Sequence, residues 1–241
     1  MKELQKVMSG VRRAVQHYEM IADGDRITVG LSGGKDSLAL LVALAEMRSF
    51  YPASYEVTAV TVDMGFSPKS DSYAPLRHLC ERLNVEYRIV ETEIARIVFE
   101  ERKEKNPCSL CAKLRRGALN NAALELGANK VALGHHLDDA VETFMMSVMH
   151  EGRIGCFSPV TWYDDRELYV IRPLIYTQER DIRALVRAAE LSVVESSCPE
   201  NGHTERAEMK RYLRTFDDLH HGLYKRVLGA LERREIDGWR A

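Results

Sequence analysis

Apolar and polar positions follow two rhythms along this chain, and the rhythm changes where one element gives way to the next. Leu4, Val7, Met8, Val11, Val15 and Tyr18 recur at three- and four-residue intervals, the stripe of an amphipathic helix ending near Ala22–Asp25. Arg26–Leu31 switches to strand spacing: Ile27, Val29 and Leu31 are apolar and Thr28 is β-branched. Leu38–Leu44 is apolar nearly all round, which predicts a helix buried against a sheet. Glu56–Asp63 reads as a second strand, Leu76, Leu79 and Leu83 mark a helix, and Tyr87–Val90 is a third strand. A helix over Leu110–Leu126, a fourth strand over Lys130–Gly134 and a helix over Asp138–Met149 follow. Leu168–Ile171 is the expected fifth strand, stopped by Pro173. Thr177 is placed to N-cap a helix over Arg180–Ala189, and the tail from Thr204 to Glu235 is helical and strongly charged.

Strands apolar on both faces and alternating with helices predict an α/β, doubly wound, mostly parallel five-stranded sheet with helical N- and C-terminal additions. No repeat or Pro/Gly/Ser linker interrupts the chain. Residues 1–241 are therefore expected as a single domain, with an N-terminal helix at 1–22 and a C-terminal helical tail at 204–241. The composition, 45% hydrophobic and 29% charged over 241 residues, is that of a globular protein. A formal net charge of −2 lacks the basic excess common in nucleic-acid binders, so any basic surface must be local. Lys113, Arg115 and Arg116, then Lys210, Arg211 and Arg214, are the candidates, although each cluster also suits a solvated helix face. Five cysteines, an odd number, do not read as a disulfide framework, which points to a reducing cytoplasm. No segment reaches the about 18 apolar residues of a membrane span, and the spaced N-terminal stripe is not a signal peptide.

The strand ending at Leu31 runs into Ser32-Gly33-Gly34-Lys35-Asp36-Ser37 and then into a helix. Two glycines let backbone amides converge on an anion at the positive end of the helix. Ser32, Ser37 and Lys35 add side-chain donors. The spacing is too short for G-x-x-x-x-G-K-[ST] and does not fit G-x-G-x-x-G. It resembles the S-G-G-x-D-S signature of the PP-loop family, whose members split ATP between the α and β phosphates and form an adenylated intermediate. The resemblance implies nucleotide binding by Ser32, Gly33, Gly34, Lys35, Asp36 and Ser37, with Lys35 and Asp36 catalytic, and an adenine nucleotide alpha hydrolase-like fold.

After the fourth strand comes Gly134-His135-His136-Leu137-Asp138-Asp139-Ala140-Val141-Glu142-Thr143. Adjacent carboxylates at a phosphate site can hold Mg²⁺, and aspartates at a helix start also cap it. The run is similar to the G-H-H-x-D-D-x-x-E-T block of PP-loop enzymes acting on tRNA. That resemblance implies roles for Asp138 and Asp139 near the nucleotide and Mg²⁺, with Gly134 and Asp138 binding the nucleotide and Asp139 catalytic.

Cys108-Ser109-Leu110-Cys111 is a C-x-x-C at a helix start, where the helix dipole and Lys113, Arg115 and Arg116 favour thiolates. Zinc, an iron–sulfur cluster and redox cycling all use such a pair; no second C-x-x-C is present. The run Asn106-Pro107-Cys108-Ser109-Leu110-Cys111-Ala112-Lys113-Leu114-Arg115-Arg116-Gly117 resembles the cluster-binding segment of the tRNA 2-thiocytidine synthetase family. In that family two cysteines here and a third far downstream hold a 4Fe-4S cluster, one iron being left without a protein ligand. Cys198, in Ser196-Ser197-Cys198-Pro199 after a helix and a short strand, is the expected third ligand and is preferred to Cys156; Cys80 reads as core packing.

The resemblance implies ATP-dependent transfer of sulfur to C2 of a cytidine, at position 32 of tRNA. ATP, Mg²⁺ and the cluster are the implied cofactors. The implied partners are tRNA and a cysteine desulfurase or other sulfide donor, with a homodimer as a candidate assembly. Two other readings stay open. One is a different PP-loop tRNA enzyme, making 2-thiouridine or lysidine. The other is a non-enzymatic nucleotide or cluster sensor.

Overall fold

The computed structural model describes residues 1–66, 71–103, 107–194, 198–199 and 205–240; Asn106, Ser196, Ser197 and Thr204, named above, lie outside them. Six strands form one sheet in the order β3-β2-β1-β4-β6-β5. They are β1 (Asp25–Gly30), β2 (Tyr55–Asp63), β3 (Glu86–Glu91), β4 (Lys130–Ala132), β5 (Val160–Tyr163) and β6 (Leu168–Ile171). All pairings are parallel except that of β5 with β6. The sheet thus has one strand more than the sequence pattern suggests. The extra one, β5, is an antiparallel edge strand of four residues, none fully buried; the run Val160-Thr161-Trp162-Tyr163 is too short to stand out as a strand in the sequence.

The helices are α1 (Lys2–His17), α2 (Lys35–Met47), α3 (Ala74–Arg82), α4 (Pro107–Glu125), α5 (Leu137–Glu151), α6 (Glu179–Ala188), α7 (Glu205–Leu219) and α8 (Leu223–Arg233). The strand residues divide between two cores, as their alternation requires. Val60, Val131 and Val170 face α4, joining Leu119, Ala122 and Ala123 in the smaller core. Ala59, Ala132 and Ile171 face the larger core, built with α1, α2 and α5 to α8. In α2 every residue from Ser37 to Ala45 is buried, which is why its sequence shows no polar face.

Three local expectations need correction. The first helix stops at His17, short of Ala22. Gln178, not Thr177, occupies the N-cap of α6 and makes no side-chain cap; the amide of Glu179 is taken instead by the Asp138 carboxylate, at 2.9 Å. A distant side chain has replaced a local cap, which sequence spacing cannot reveal. The charged tail is two helices, broken where Asp217 Oδ1 accepts from the amides of Gly222 and Leu223 at 3.0 and 2.7 Å.

The chain's end is anchored by Trp239, which is fully buried and donates its indole N–H to the Phe157 carbonyl at 2.9 Å. Its ring lies edge-on to Tyr18, centroids 6.2 Å apart, tying the tail to the end of α1. Trp239→Ala is expected to cost roughly 3–5 kcal/mol, read as a lower urea midpoint at unchanged m value.

Candidate active site

β1 and β4 are neighbours at the sheet's switch point, where the strand order turns outward in both directions. A crevice opens there beyond the carboxyl ends of the strands, and both sequence motifs leave the sheet into it. Gly33 has φ +83°, and a Cβ on it would lie 2.8 Å from Val194 Cβ, so both conformation and space demand glycine. Gly34 precedes the first residue of α2, whose amino end points at the crevice. The Ser37 hydroxyl is buried and donates to the Gly34 carbonyl at 2.9 Å, while Ser32 Oγ donates to Ser37 Oγ at 3.1 Å. These serines therefore hold the loop in shape in addition to lining it. At Gly134 a Cβ would meet the Asp36 carbonyl carbon at 3.0 Å, so the second motif lies directly against the start of α2.

His136 joins the motifs. Its Nδ1 accepts from the Asp139 amide at 3.3 Å, and the Asp139 carboxylate accepts from the His136 amide at 2.9 Å, a reciprocal cap on α5. This leaves Nε2 as the protonated nitrogen, 3.4 Å from both Asp36 Oδ1 and Asp139 Oδ2. Asp139 thus caps a helix and also faces the phosphate loop. Asp138 is bound to the Glu179 amide; burial raises the pKa of its carboxyl above the ordinary value.

Glu179 gathers the cations. Its side chain is 5% exposed and receives Lys210 at 2.6 Å, Arg183 at 3.0 Å, Lys35 at 3.1 Å and Arg214 at 3.4 Å. Burial pushes its pKa up, but the bonds from Lys210, Arg183 and Lys35 prevail and hold it well below the usual carboxylate range. Lys35 also reaches Asp36 at 2.8 Å; against burial, Asp36 and Glu179 raise its pKa. Lys210 and Arg214, named from sequence as a surface cluster, therefore face the site, whereas Arg211 pairs with Glu208 within α7. Arg206 fastens α7 to α5 through the Thr143 hydroxyl at 3.0 Å and Glu142 at 3.5 Å. Glu142 is 2% exposed and is pushed up to about 7, by burial first and then by Asp139. Burial and then the Arg172 guanidinium push His135 down to about 4, so it is neutral at physiological pH. Its Nδ1 has no hydrogen-bond partner, and its ring lies 5.0 Å from that of Phe157.

The cysteines separate by environment. Cys80 is buried in the core and pushed up to about 12 by that burial. Cys156 is also pushed up to about 12 by burial, and its thiol lies 3.5 Å from the Ala140 carbonyl. Cys108 is exposed at the start of α4, with Cys111 one turn on and half-buried. The Cys111 thiol is raised by burial, then by its neighbours Cys198 and Cys108, so these three act on one another. Among the described residues, no three His, Cys, Asp or Glu side chains stand ready to hold a metal ion. Among the described residues before Cys198, the expected short strand is not formed. Residues 191–194 instead lie along the phosphate loop, the Val194 amide donating to the Gly33 carbonyl at 3.0 Å.

Sequence reasoning quoted Glu142, His135 and His136 within the motif but gave them no part, and it overlooked Glu179. An acid in the first turn of a helix looks like an ordinary dipole partner; Arg183 is its i,i+4 neighbour, but only the tertiary fold brings Lys35, Lys210 and Arg214 to it.

A Gly-Gly loop leading into a helix at the switch point of a parallel sheet, too short for Walker A, defines an ATP-binding protein of the PP-loop class. Residues 6–215 match the family described as PP-loop domain. The tRNA-cytidine(32) 2-sulfurtransferase of Geobacter sulfurreducens is 39% identical over 229 residues, covering 94% of this chain and 88% of that one. The protein of the same name from Aliivibrio fischeri is 37% identical over 229 residues, covering 94% and 74%. The chain belongs to the PP-loop family and, within it, groups with the tRNA-cytidine(32) 2-sulfurtransferases. Among solved structures, the U34-tRNA thiolase NcsA from Methanococcus maripaludis with its 4Fe-4S cluster is similar at a TM-score of 0.77 and 25% identity. That match covers 96% of this chain and 78% of that one.

Glu142 gives the fold a pH dependence of definite sign. Its folded pKa lies above the ordinary 4.5, so the folded state keeps a proton that the unfolded chain releases. The resulting stabilisation is complete below about pH 4.5 and is lost as pH rises through about 7. Relative to Glu142→Gln, the wild type should lose stability between pH 5 and 7 by at most about 1.4 kcal/mol per unit, measured by urea unfolding across that range.

Proposed function

We infer that this chain is an ATP-dependent tRNA sulfurtransferase that replaces O2 of a cytidine, at position 32, with sulfur. The cytidine O2 attacks the α-phosphorus of ATP and pyrophosphate leaves, carrying the β and γ phosphates. A sulfur nucleophile then attacks C2, and AMP departs with the former O2. The loop from Ser32 to Ser37 cradles the phosphates, and Lys35 offsets their charge. Phosphate would compete with Asp36 and Glu179 for that ammonium, so binding ATP and releasing Lys35 from its acids are one event. Asp36 and Asp139, both reached by His136, are the carboxylates proposed to hold Mg²⁺ with the phosphates. Asp138 contributes by fixing α6, and so Glu179, against α5.

Cys108, Cys111 and Cys198 are the proposed ligands of a 4Fe-4S cluster, and thiolates suit iron. When bound, such a cluster supplies an iron free of protein ligands that can hold sulfide. The raised Cys111 thiol must lose its proton to bind metal, so cluster binding is coupled to closing the thiols together. The sulfur donor, a cysteine desulfurase or another source of sulfide, belongs to the same proposal, as do a homodimeric assembly and a cytoplasmic location. The observation that carries the reading is that Cys111, on α4, feels both Cys108 and Cys198, and that residues 191–194, upstream of Cys198, bond to the phosphate loop.

Lys35→Ala should abolish turnover, and the wild type should release AMP and pyrophosphate; ADP and phosphate as products would overturn the reading. Alanine at Cys108, Cys111 or Cys198 should remove iron and thiolation together, whereas Cys156→Ala should keep both. Thiolation surviving all three changes, or zinc as the metal, removes the cluster from the reaction. The likeness to a U34-tRNA thiolase gives a second reading, 2-thiouridine, and nucleoside analysis of tRNA modified by the purified protein separates the two.

A further inference from the structure

We propose that the groove between α1 and α6 binds the phosphodiester backbone of the tRNA substrate; this rests on the tRNA reading above. The groove has a volume of about 370 Å³ and is lined by Lys6, Arg12 and Arg13 from α1 and by Tyr176, Thr177 and Asp181 from the start of α6. Three cations face one acid, in a chain whose formal net charge is −2. That acid is already engaged: Asp181 pairs with Lys6 at 2.8 Å. Among the described residues, Arg12 and Arg13 form no ion pair. Arg13 lies 4.2 Å above the Tyr176 ring, which holds a guanidinium in place without neutralising it. The hydroxyl of Thr177 is buried in the groove wall without a hydrogen-bond partner.

The spacing favours a strand of phosphates over a single small anion. Lys6 and Arg13 are seven residues apart on one helix, about 10 Å along its axis. A nucleic-acid strand presents a charge roughly every 3.4 Å, so successive phosphates of one strand can meet Arg13 and, by competing with Asp181, Lys6. The groove also adjoins the reaction site. The Thr177 carbonyl accepts from the Leu137 amide at the head of α5, at 3.1 Å, and Glu179, two residues on, holds Lys35. One face of α6 therefore serves the nucleotide while the other faces the groove. Such contacts position RNA and carry no sequence preference.

The test is filter binding of an unmodified tRNA transcript to the full chain between 50 and 200 mM salt, without ATP. Arg12→Gln/Arg13→Gln should weaken binding severalfold and make the log–log salt dependence shallower by about 1.4 to 1.8, two cations' worth. ATP affinity, measured by calorimetry, should stay at the wild-type value, which also reports a folded protein. Arg12→Lys/Arg13→Lys, which keeps the charge, should restore most of the slope. If the wild type binds tRNA and the glutamine variant binds it equally with the same slope, the groove proposal alone falls. If the wild type binds no tRNA, the substrate reading falls and takes the groove with it. Loss of inorganic phosphate binding with tRNA binding intact would make the groove a small-anion site and overturn the proposal.

Discussion

A single buried carboxylate, that of Glu179, holds the reaction site in one piece. Four cations from three different elements converge on it: Lys35 from the phosphate loop, Arg183 from α6, and Lys210 and Arg214 from α7. Removing one partner from such an arrangement leaves charges buried without compensation, which costs several kcal/mol. The position of Glu179 is itself fixed, because Asp138 takes its amide. The second motif, the phosphate loop and the C-terminal helices are thus joined through a few polar bonds, while the apolar cores beneath set only where the sheet ends.

That arrangement has a consequence for nucleotide binding. Lys35 is already bonded to two acids, so the energy of its contact with phosphate is the difference between two good partners. Affinity must then come mostly from the backbone amides of the loop and the amino end of α2, which have no rival acid. In the proposed reaction Lys35 would favour the state with most negative charge on the phosphates, the behaviour wanted of a group that stabilises a transition state. Residues 191–194 cover the other side of the loop, with Val194 pressed against Gly33, so the route to Cys198 begins on the phosphate site itself.

Most of the sheet and both phosphate-site motifs were legible in the sequence because each depends on short-range pattern. β1 to β4 and β6 show as apolar or β-branched runs, and the loop glycines show as punctuation. What could not be read depends on distance in space. β5 is a four-residue edge strand too short to register as a run. The amide of Glu179 is capped by Asp138, forty-one residues earlier, so the expected cap at Thr177 was not needed. Glu142 and His135 sat in plain view, but their shifted protonation comes from burial and from Asp139 and Arg172, which only the fold brings near. The closeness of Cys198 to Cys111 was legible only through family resemblance, since eighty-seven residues of sequence separate them.

The formal net charge of −2 gave no support to a nucleic-acid partner, and the structure shows why that number says so little. Each ion pair contributes nothing to the sum but removes a cation from the surface. Lys210 is drawn in to Glu179, and Arg214 and Lys6, though still more than half exposed, are matched by Glu179 and Asp181. Lys113, Arg115 and Arg116, by contrast, are exposed on the helix that carries Cys108 and Cys111, and among the described residues Arg12 and Arg13 form no ion pair beside α6. The field that a phosphate strand meets is set by these unpaired groups, because paired charges cancel beyond about a Debye length, ~8 Å at physiological salt. An acidic chain can therefore present basic ground to RNA, provided that its acids are used to hold cations inside and not to cover those outside.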